Sequence, residues 1–336
     1  MFLTHSNSVY AEDIVLLDHI PRPQYVHQVT DGGIAVNRGM KTMPAELVDC
    51  VLKGQHGAAE GTVQAIRAIT GHKDLKVGFI LAAGGNSWTG YLSNLARTNQ
   101  YPVHKLATLG GTQVYAGYIA NKLGSFDYIT TEASSCISGH AGWYTARNLM
   151  LLDIMDAMVV ITVDNGLSED YLDIFGEHGL SKQADEEDSD LVKFRLGQGC
   201  NIALFESKNS LETTNNSPLA FIQDMCIAAE SHTNPLGIAS TGEGYTKAIT
   251  GVNHNNIDFV KTHSTFSCDN AIEAELVYKY FGDIRIVNYK LRIGHTMGAS
   301  TAVETALAIE EESGVFLSLG AGMGNAFSSA VVRIIK

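Results

Sequence analysis

Short apolar runs that break off at glycine, small or polar residues recur along this chain of 336 residues, with helical stretches between them. Residues 76–83 form one such run and end at Gly84-Gly85. Residues 126–131, 156–163, 201–206, 219–227, 257–262, 284–289, 315–319 and 328–335 read as further strands. A continuous apolar run of this length belongs to a strand covered on both faces. Segments 45–52, 58–69, 112–122, 141–152, 271–280 and 299–311 carry helical spacing. Strands alternating with helices predict an α/β layered fold with mainly buried sheets. The order strand, Cys136, helix, strand in the first half resembles strand, histidine, helix, strand in the second. The chain therefore reads as one unit, 1–336, of two similar halves dividing near residues 195 and 196, with no Pro/Ser-rich linker. No opening strand is recognisable in residues 1–13.

Composition narrows the function. A hydrophobic share of 45% supports a large core. A net charge of −13 argues against nucleic acid as a partner. No apolar run reaches the roughly 18 residues of a membrane span, so none is expected. The N-terminus lacks a basic segment followed by an apolar one, so no signal peptide is expected. Cysteines at 50, 136, 200, 226 and 268 form no CxxC pair. That suits a reducing cytoplasm and argues against a zinc or disulfide framework. The acidic run Asp185-Glu-Glu-Asp-Ser-Asp190 reads as a solvated loop, with a cation site as the alternative.

Three segments carry chemistry. Cys136 in Thr131-Glu-Ala-Ser-Ser-Cys136-Ile-Ser-Gly139 stands where a strand hands over to a helix. A thiol there is either a buried packing residue or a nucleophile whose thiolate the helix N-terminus favours. His263, in Val260-Lys-Thr-His263-Ser-Thr-Phe-Ser267, and His295, in Lys290-Leu-Arg-Ile-Gly-His295-Thr-Met-Gly298, hold similar junctions. A lone histidine is usually structural, but sites in α/β sheets collect after strand ends. Two neutral imidazoles aimed at one oxygen could stabilise negative charge developing on it. Lys290 needs a partner if buried, and Glu273 is the expected one, either as plain structural pairing or to bias the charge of the histidines.

These residues resemble a β-ketoacyl-acyl carrier protein synthase of the elongating Cys-His-His type, on the thiolase fold. The resemblance runs from about residue 76 to the C-terminus. It covers Ala133-Ser-Ser-Cys136-Ile-Ser-Gly139, His263-Ser-Thr-Phe-Ser267 with Ile272-Glu-Ala-Glu275, Lys290 with Gly294-His295, and Ser318-Leu-Gly-Ala-Gly-Met-Gly-Asn325. Arg195-Leu-Gly-Gln-Gly199 resembles the turn that opens the second half. The resemblance implies a thiolase-like, α-β-α-β-α layered fold and a decarboxylative Claisen condensation. Cys136 would take an acyl chain from an acyl carrier protein, and His263 and His295 would stabilise the enolate of a malonyl-carrier thioester. The N–H groups of Cys136 and Ala321 would form the oxyanion hole. Lys290 would complete the catalytic set with Cys136, His263 and His295, and Glu273 would support it. Thr265, Ser267 and Met323 would contact substrate or its phosphopantetheine arm, which arrives on the carrier protein. No metal or other cofactor is implied.

The chain departs from that pattern in length, in Ser264 after His263, and in Ala321, which replaces a gating Phe. Ala321 is expected to open space beside Cys136 for a bulky, rigid or unsaturated acyl group. That would suit a specialised polyene or polyketide pathway better than fatty acid elongation. The alternative is a catalytically silent chain-length-factor subunit that pairs with an active one, although Cys136, His263, His295 and Lys290 are all present. A Cys-dependent thioester hydrolase has no clear support. The family implies a dimer, homomeric or heteromeric, with residues 128–129 and 155–163 near the interface. An acidic carrier protein would need a local basic cluster, for which Arg67, Lys73 and Lys76 are candidates.

Overall fold

A computed structural model describes residues 1–10, 12–13, 26–28, 36–37, 58–84, 112–165, 196–231, 241–265 and 270–335. The expected helix at 45–52, the acidic run at 185–190, and Ser267 and Cys268 lie outside the described residues.

The strands in chain order are β1 (Phe2–Tyr10), β2 (Glu12–Asp13), β3 (Val26–Gln28), β4 (Val36–Asn37), β5 (Val77–Ala82), β6 (Tyr128–Glu132) and β7 (Ala157–Asn165). They continue with β8 (Gln198–Glu206), β9 (Ala220–Ala229), β10 (Phe259–Lys261), β11 (Arg285–Val287), β12 (Val315–Gly322) and β13 (Ala326–Ile334). The helices are α1 (Ala58–Thr70), α2 (Thr112–Leu123), α3 (Ser138–Leu151), α4 (Lys208–Thr214), α5 (Glu243–Thr250), α6 (Asn270–Phe281), α7 (Lys290–Ile293) and α8 (Ser300–Glu311).

Strands β2, β3 and β4 form a small separate sheet, and the other ten run in the order β11-β10-β12-β13-β9-β1-β8-β7-β5-β6. This row is two five-stranded sets joined where Phe2 and Leu3 pair with Phe221 and Ala220. In the first set, β8 lies antiparallel between β1 and β7, and β5 lies parallel between β7 and β6. In the second, β13 lies antiparallel between β9 and β12, and β10 lies parallel between β12 and β11. Taken in chain order, β1, β5, β6, β7, β8 correspond one for one to β9, β10, β11, β12, β13. The two similar halves expected from the sequence are present as a duplicated topology. The sets change between β8 and β9, so the strand at 198–206 falls in the first set, beyond the expected division at 195 and 196.

Strand periodicity explains the layers. Phe79 and Val159 join Val63, Ile66, Ile119 and Leu123 of α1 and α2 in one buried cluster. Their neighbours Ile80 and Val160 face the opposite way, into the cluster of Trp143 and Met150 of α3 and Val303 and Leu307 of α8. In the second set Phe259 and Phe316 join that central cluster, their rings stacked at 4.8 Å. Val260 and Leu317 instead meet Ile249 of α5 and Val277 of α6. Both five-stranded sets are thus covered on both faces, which removes the polar side of the alternation and leaves continuous apolar runs. The central helices approach closely: a Cβ on Gly139 would lie 2.7 Å from the Ala302 backbone nitrogen.

Strand β1 corrects the sequence reading, which found no opening strand. Its sequence, Phe-Leu-Thr-His-Ser-Asn-Ser-Val-Tyr, is largely polar, and only tertiary pairing to β8 and β9 defines it.

Candidate active site

The C-terminal ends of β6, β10 and β12, and the loop after β11, deliver the candidate residues to one region. After β6, a single 3-10 turn, Ser135–Ile137, carries Cys136 into α3. Ser135 holds a left-handed φ of 52°, uncommon for a non-glycine residue and found where a surrounding framework fixes it. Ser138 supplies part of that framework. Its hydroxyl accepts from the Ser134 N–H at 2.9 Å and lies 2.6 Å from the Ser135 carbonyl and 3.1 Å from that of Ala83. The turn before α8, Met297–Ala299, repeats the geometry, with Met297 at a φ of 50°. The two turns are corresponding parts of the duplicated halves, and they pack together.

Cys136 is buried, at 6% exposure. Burial pushes its thiol above the usual value; Asp164 adds to this, while the Ser135 hydroxyl, Lys290 and the Met323 backbone N–H oppose it. The Ser135 hydroxyl lies 3.7 Å from the sulfur. Asp164 was not foreseen in the sequence. Its carboxylate, buried on β7, accepts from the N–H groups of Gly84 and Gly298 at 3.1 and 2.9 Å, tying the loop after β5 to the turn before α8.

His263 follows β10. Its backbone N–H and that of Ser264 donate to the two oxygens of Glu273, at 2.6 and 2.8 Å. This overturns the expected pairing of Glu273 with Lys290. Glu273 shapes the His263 turn, and Lys290 instead donates to Glu304 Oε1 at 2.6 Å. A second buried lysine, Lys261, donates to Glu304 Oε2 at 3.1 Å and to the Leu319 carbonyl at 2.9 Å. Glu304 and Lys261 were missed in the sequence. The signal was there: Lys261 ends an apolar strand and Glu304 sits among apolar and small residues in the first turns of α8, and buried charges must pair.

The His263 and His295 rings meet edge to face with centroids 5.4 Å apart. His295 Nδ1 accepts from the Met297 N–H at 2.9 Å. A neutral imidazole with Nδ1 as acceptor carries its proton on Nε2, so His295 presents an Nε2–H donor. The His295 carbonyl accepts from Gly197 N–H at 2.8 Å, which places the Leu196–Gly197 turn directly beside it. Burial, then the positive charge of Lys290, holds both rings well below the ordinary histidine value. Both are therefore neutral near pH 7. His140, one turn into α3, is also buried and neutral, and its ring nitrogens contact the hydroxyls of Ser328, Thr305 and Ser318.

Ala321 corrects another expectation. On β12, Gly320 and Gly322 face the Cys136 turn: a Cβ on Gly322 would lie 3.1 Å from the Cys136 nitrogen. Ala321 points to the opposite face, fully buried with Tyr245, Ala248 and Phe327. The absent phenyl ring at 321 therefore opens no space beside Cys136. Thr265 and Met323 are part-buried near the ends of the His263 segment and of β12.

This arrangement offers a buried thiol, a neutral histidine pair with one fixed Nε2–H donor, and a two-lysine, one-glutamate ion cluster behind them.

No family model matches the sequence. No curated protein matches it either. Solved structures do. One described as "the ishigamide ketosynthase/chain length factor" superposes with a TM-score of 0.74 at 15% identity, covering 100% of this chain and 99% of that one. The ketosynthase from module 6 of the bacillaene synthase of Bacillus subtilis 168 gives a TM-score of 0.72 at 12% identity, covering 100% of this chain and 72% of that one. A type II polyketide-synthase acyl-carrier protein in complex with its ketosynthase gives 0.67 at 15% identity, with 79% of each chain covered. At such low identity the likeness establishes architecture, and the chain has the layered, thiolase-like fold of the ketosynthases.

Proposed function

We propose that this chain is a ketosynthase-type subunit that performs a decarboxylative Claisen condensation on acyl-carrier-protein thioesters. The observation that carries the reading is the histidine pair: two neutral imidazoles 5.4 Å apart, one with its Nε2–H fixed by the Met297 amide, beside the turn of Cys136. Cys136 loses its proton and attacks an acyl thioester, releasing the carrier thiol and forming an acyl-enzyme. A malonyl thioester then places its carbonyl oxygen against His263 and His295. As CO2 leaves, its bonding electrons form an enolate, and hydrogen bonds from the histidines hold the charge on oxygen. The enolate carbon attacks the acyl-Cys136 carbonyl, and collapse of that adduct returns the Cys136 thiolate and releases a β-ketoacyl thioester two carbons longer. The backbone amides of Cys136 and Ala321 are the proposed oxyanion donors, with Thr265, Ser267 and Met323 along the pantetheine arm. An acidic carrier protein would dock on exposed cations, for which Arg67, Lys73 and Lys76 are the candidates. Likeness to polyketide-synthase structures supports a polyketide-type pathway.

A second reading is a silent chain-length-factor subunit that pairs with an active ketosynthase. The structural comparisons favour it: the chain matches the ketosynthase/chain length factor structure over nearly the whole length of both, but spans 72% of the bacillaene ketosynthase. Intact mass spectrometry separates the readings. The protein is incubated with an acyl carrier protein bearing a medium-length or polyenoyl chain, beside Cys136→Ala. An acyl increment on the wild type alone supports condensation. Its absence with every chain, and with the Cys-directed mimic cerulenin, establishes the silent subunit.

A further inference from the structure

Glu304 is fully buried, and each of its oxygens takes a different ammonium: Lys290 at 2.6 Å and Lys261 at 3.1 Å. One lysine would neutralise it. The second is held by an independent contact, the Leu319 carbonyl at 2.9 Å. Lys261 is two residues before His263 on β10. Leu319 lies on β12, four residues before Met323, which follows the strand and whose amide faces the Cys136 thiol. These strands are parallel neighbours, with Lys261 opposite Ser318. Lys261 thus crosses from the strand that delivers a histidine to the strand that delivers the amide, and meets α8 behind both.

We propose that Lys261 is a positioning residue of the condensation site, a second ammonium that shares Glu304 with Lys290, clamps β10 to β12, and adds positive charge behind the histidine pair. This rests on the condensation reading for its kinetic consequences. The groups around the two rings are Lys261 from β10, Lys290 from α7, Glu304 from α8, Glu273 from α6 and His140 from α3, with Cys136 and Asp164 on the turn and strand opposite. Glu273 is held by two backbone amides, and Glu304 is shared, so two lysines face two carboxylates at close range. Removing Lys261 leaves Glu304 paired with Lys290 but takes one positive charge from behind the rings. Their protonation then becomes easier, and the neutral fraction at a given pH falls. A ring that must donate to an enolate as a neutral group is thereby lost at the acid side of the profile.

The test compares wild type, Lys261→Met and Lys261→Gln. Met keeps the stem without charge; Gln also keeps a donor for the Leu319 carbonyl. Malonyl-carrier decarboxylation is followed across pH, and the histidine side chains of 15N-labelled protein are titrated by NMR. At pH 7 turnover is expected to fall roughly tenfold in Lys261→Met with KM nearly unchanged, as befits lost positioning rather than lost binding. In both variants the acid limb of the rate profile and the titration midpoints of His263 and His295 move to higher pH, and the rate recovers as pH rises. A pH-independent loss, or unmoved midpoints in folded Lys261→Gln, overturns the proposal. So does failure of both variants to fold when Glu304→Gln folds, because Lys261 would then be a structural prop. If the wild type itself shows no decarboxylation, the condensation reading fails, and the NMR titration still decides whether Lys261 sets the histidine charge.

Discussion

Substituting Glu304 by Gln should be among the most destabilising isosteric changes available in this protein. Its carboxylate compensates two ammonium groups whose side chains are 0% and 2% exposed. Removing one partner of a buried ion pair costs about 3–5 kcal/mol, because the remaining charge stays desolvated. Here one substitution strands two charges. The amide can offer its single oxygen to only one ammonium, and its NH2 opposes the other. A loss of about 5 kcal/mol follows, at the upper end of that range and a large share of a domain stability of roughly 5–15 kcal/mol. Urea unfolding followed by circular dichroism measures it. Adding Lys261→Met removes one stranded charge, so the double variant should recover about 1–3 kcal/mol relative to additivity. The pH dependence has a definite sign. Burial already lowers the Lys261 ammonium below its ordinary value, and loss of Glu304 lowers it further. The unfolded chain then binds more protons than the folded one, so stability rises with pH and the Glu304→Gln deficit shrinks as pH rises toward the ordinary lysine value of about 10. A loss below about 1 kcal/mol, or strict additivity with Lys261→Met, would refute the shared ion cluster.

Acid should destabilise the fold earlier than carboxylate titration alone implies. His140, His263 and His295 are all held below the histidine value, so the unfolded state takes up protons that the native state refuses. Three such groups give a slope approaching about 4 kcal/mol per pH unit below about pH 6, with Glu273, whose carboxyl burial raises, opposing by at most one proton. Urea midpoints that stay level from about pH 6.5 to about 5 would contradict this. Ala321→Phe should act on stability rather than on acyl selectivity, because the ring would be forced among Tyr245, Ala248 and Phe327. The expected cost is about 1–3 kcal/mol in a thermal or urea melt. A fully stable variant with a changed acyl preference would show that residue 321 does face the acyl group.

Much of the architecture could be read in advance because local sequence and tertiary environment agree. Residues 77–82, 157–163 and 315–319 are continuous apolar runs because helices cover both faces of their sheets, and burial on both sides writes itself into every position. The junction residues Cys136, His263 and His295 were legible for a related reason: sites in a layered α/β fold collect after strand ends, on a rigid frame. Strand β1 was not legible, since its Thr, His, Ser and Asn residues resemble a loop until β8 and β9 supply the ladder.

The amino-acid sequence by itself determined the alternation of strands and helices, the duplicated order, and the thiol and two imidazoles at their ends, since each depends on residues close together in the chain. The tertiary structure alone decided which charges meet and which way strand residues point. Lys290 finds Glu304 and shares it with Lys261, Glu273 turns to the His263 backbone, Ala321 faces away from Cys136, and burial raises the Cys136 thiol. Partner choice among buried charges and the protonation of buried groups depend on distances and on the exclusion of water, and both are set by segments tens to hundreds of residues apart once they have packed.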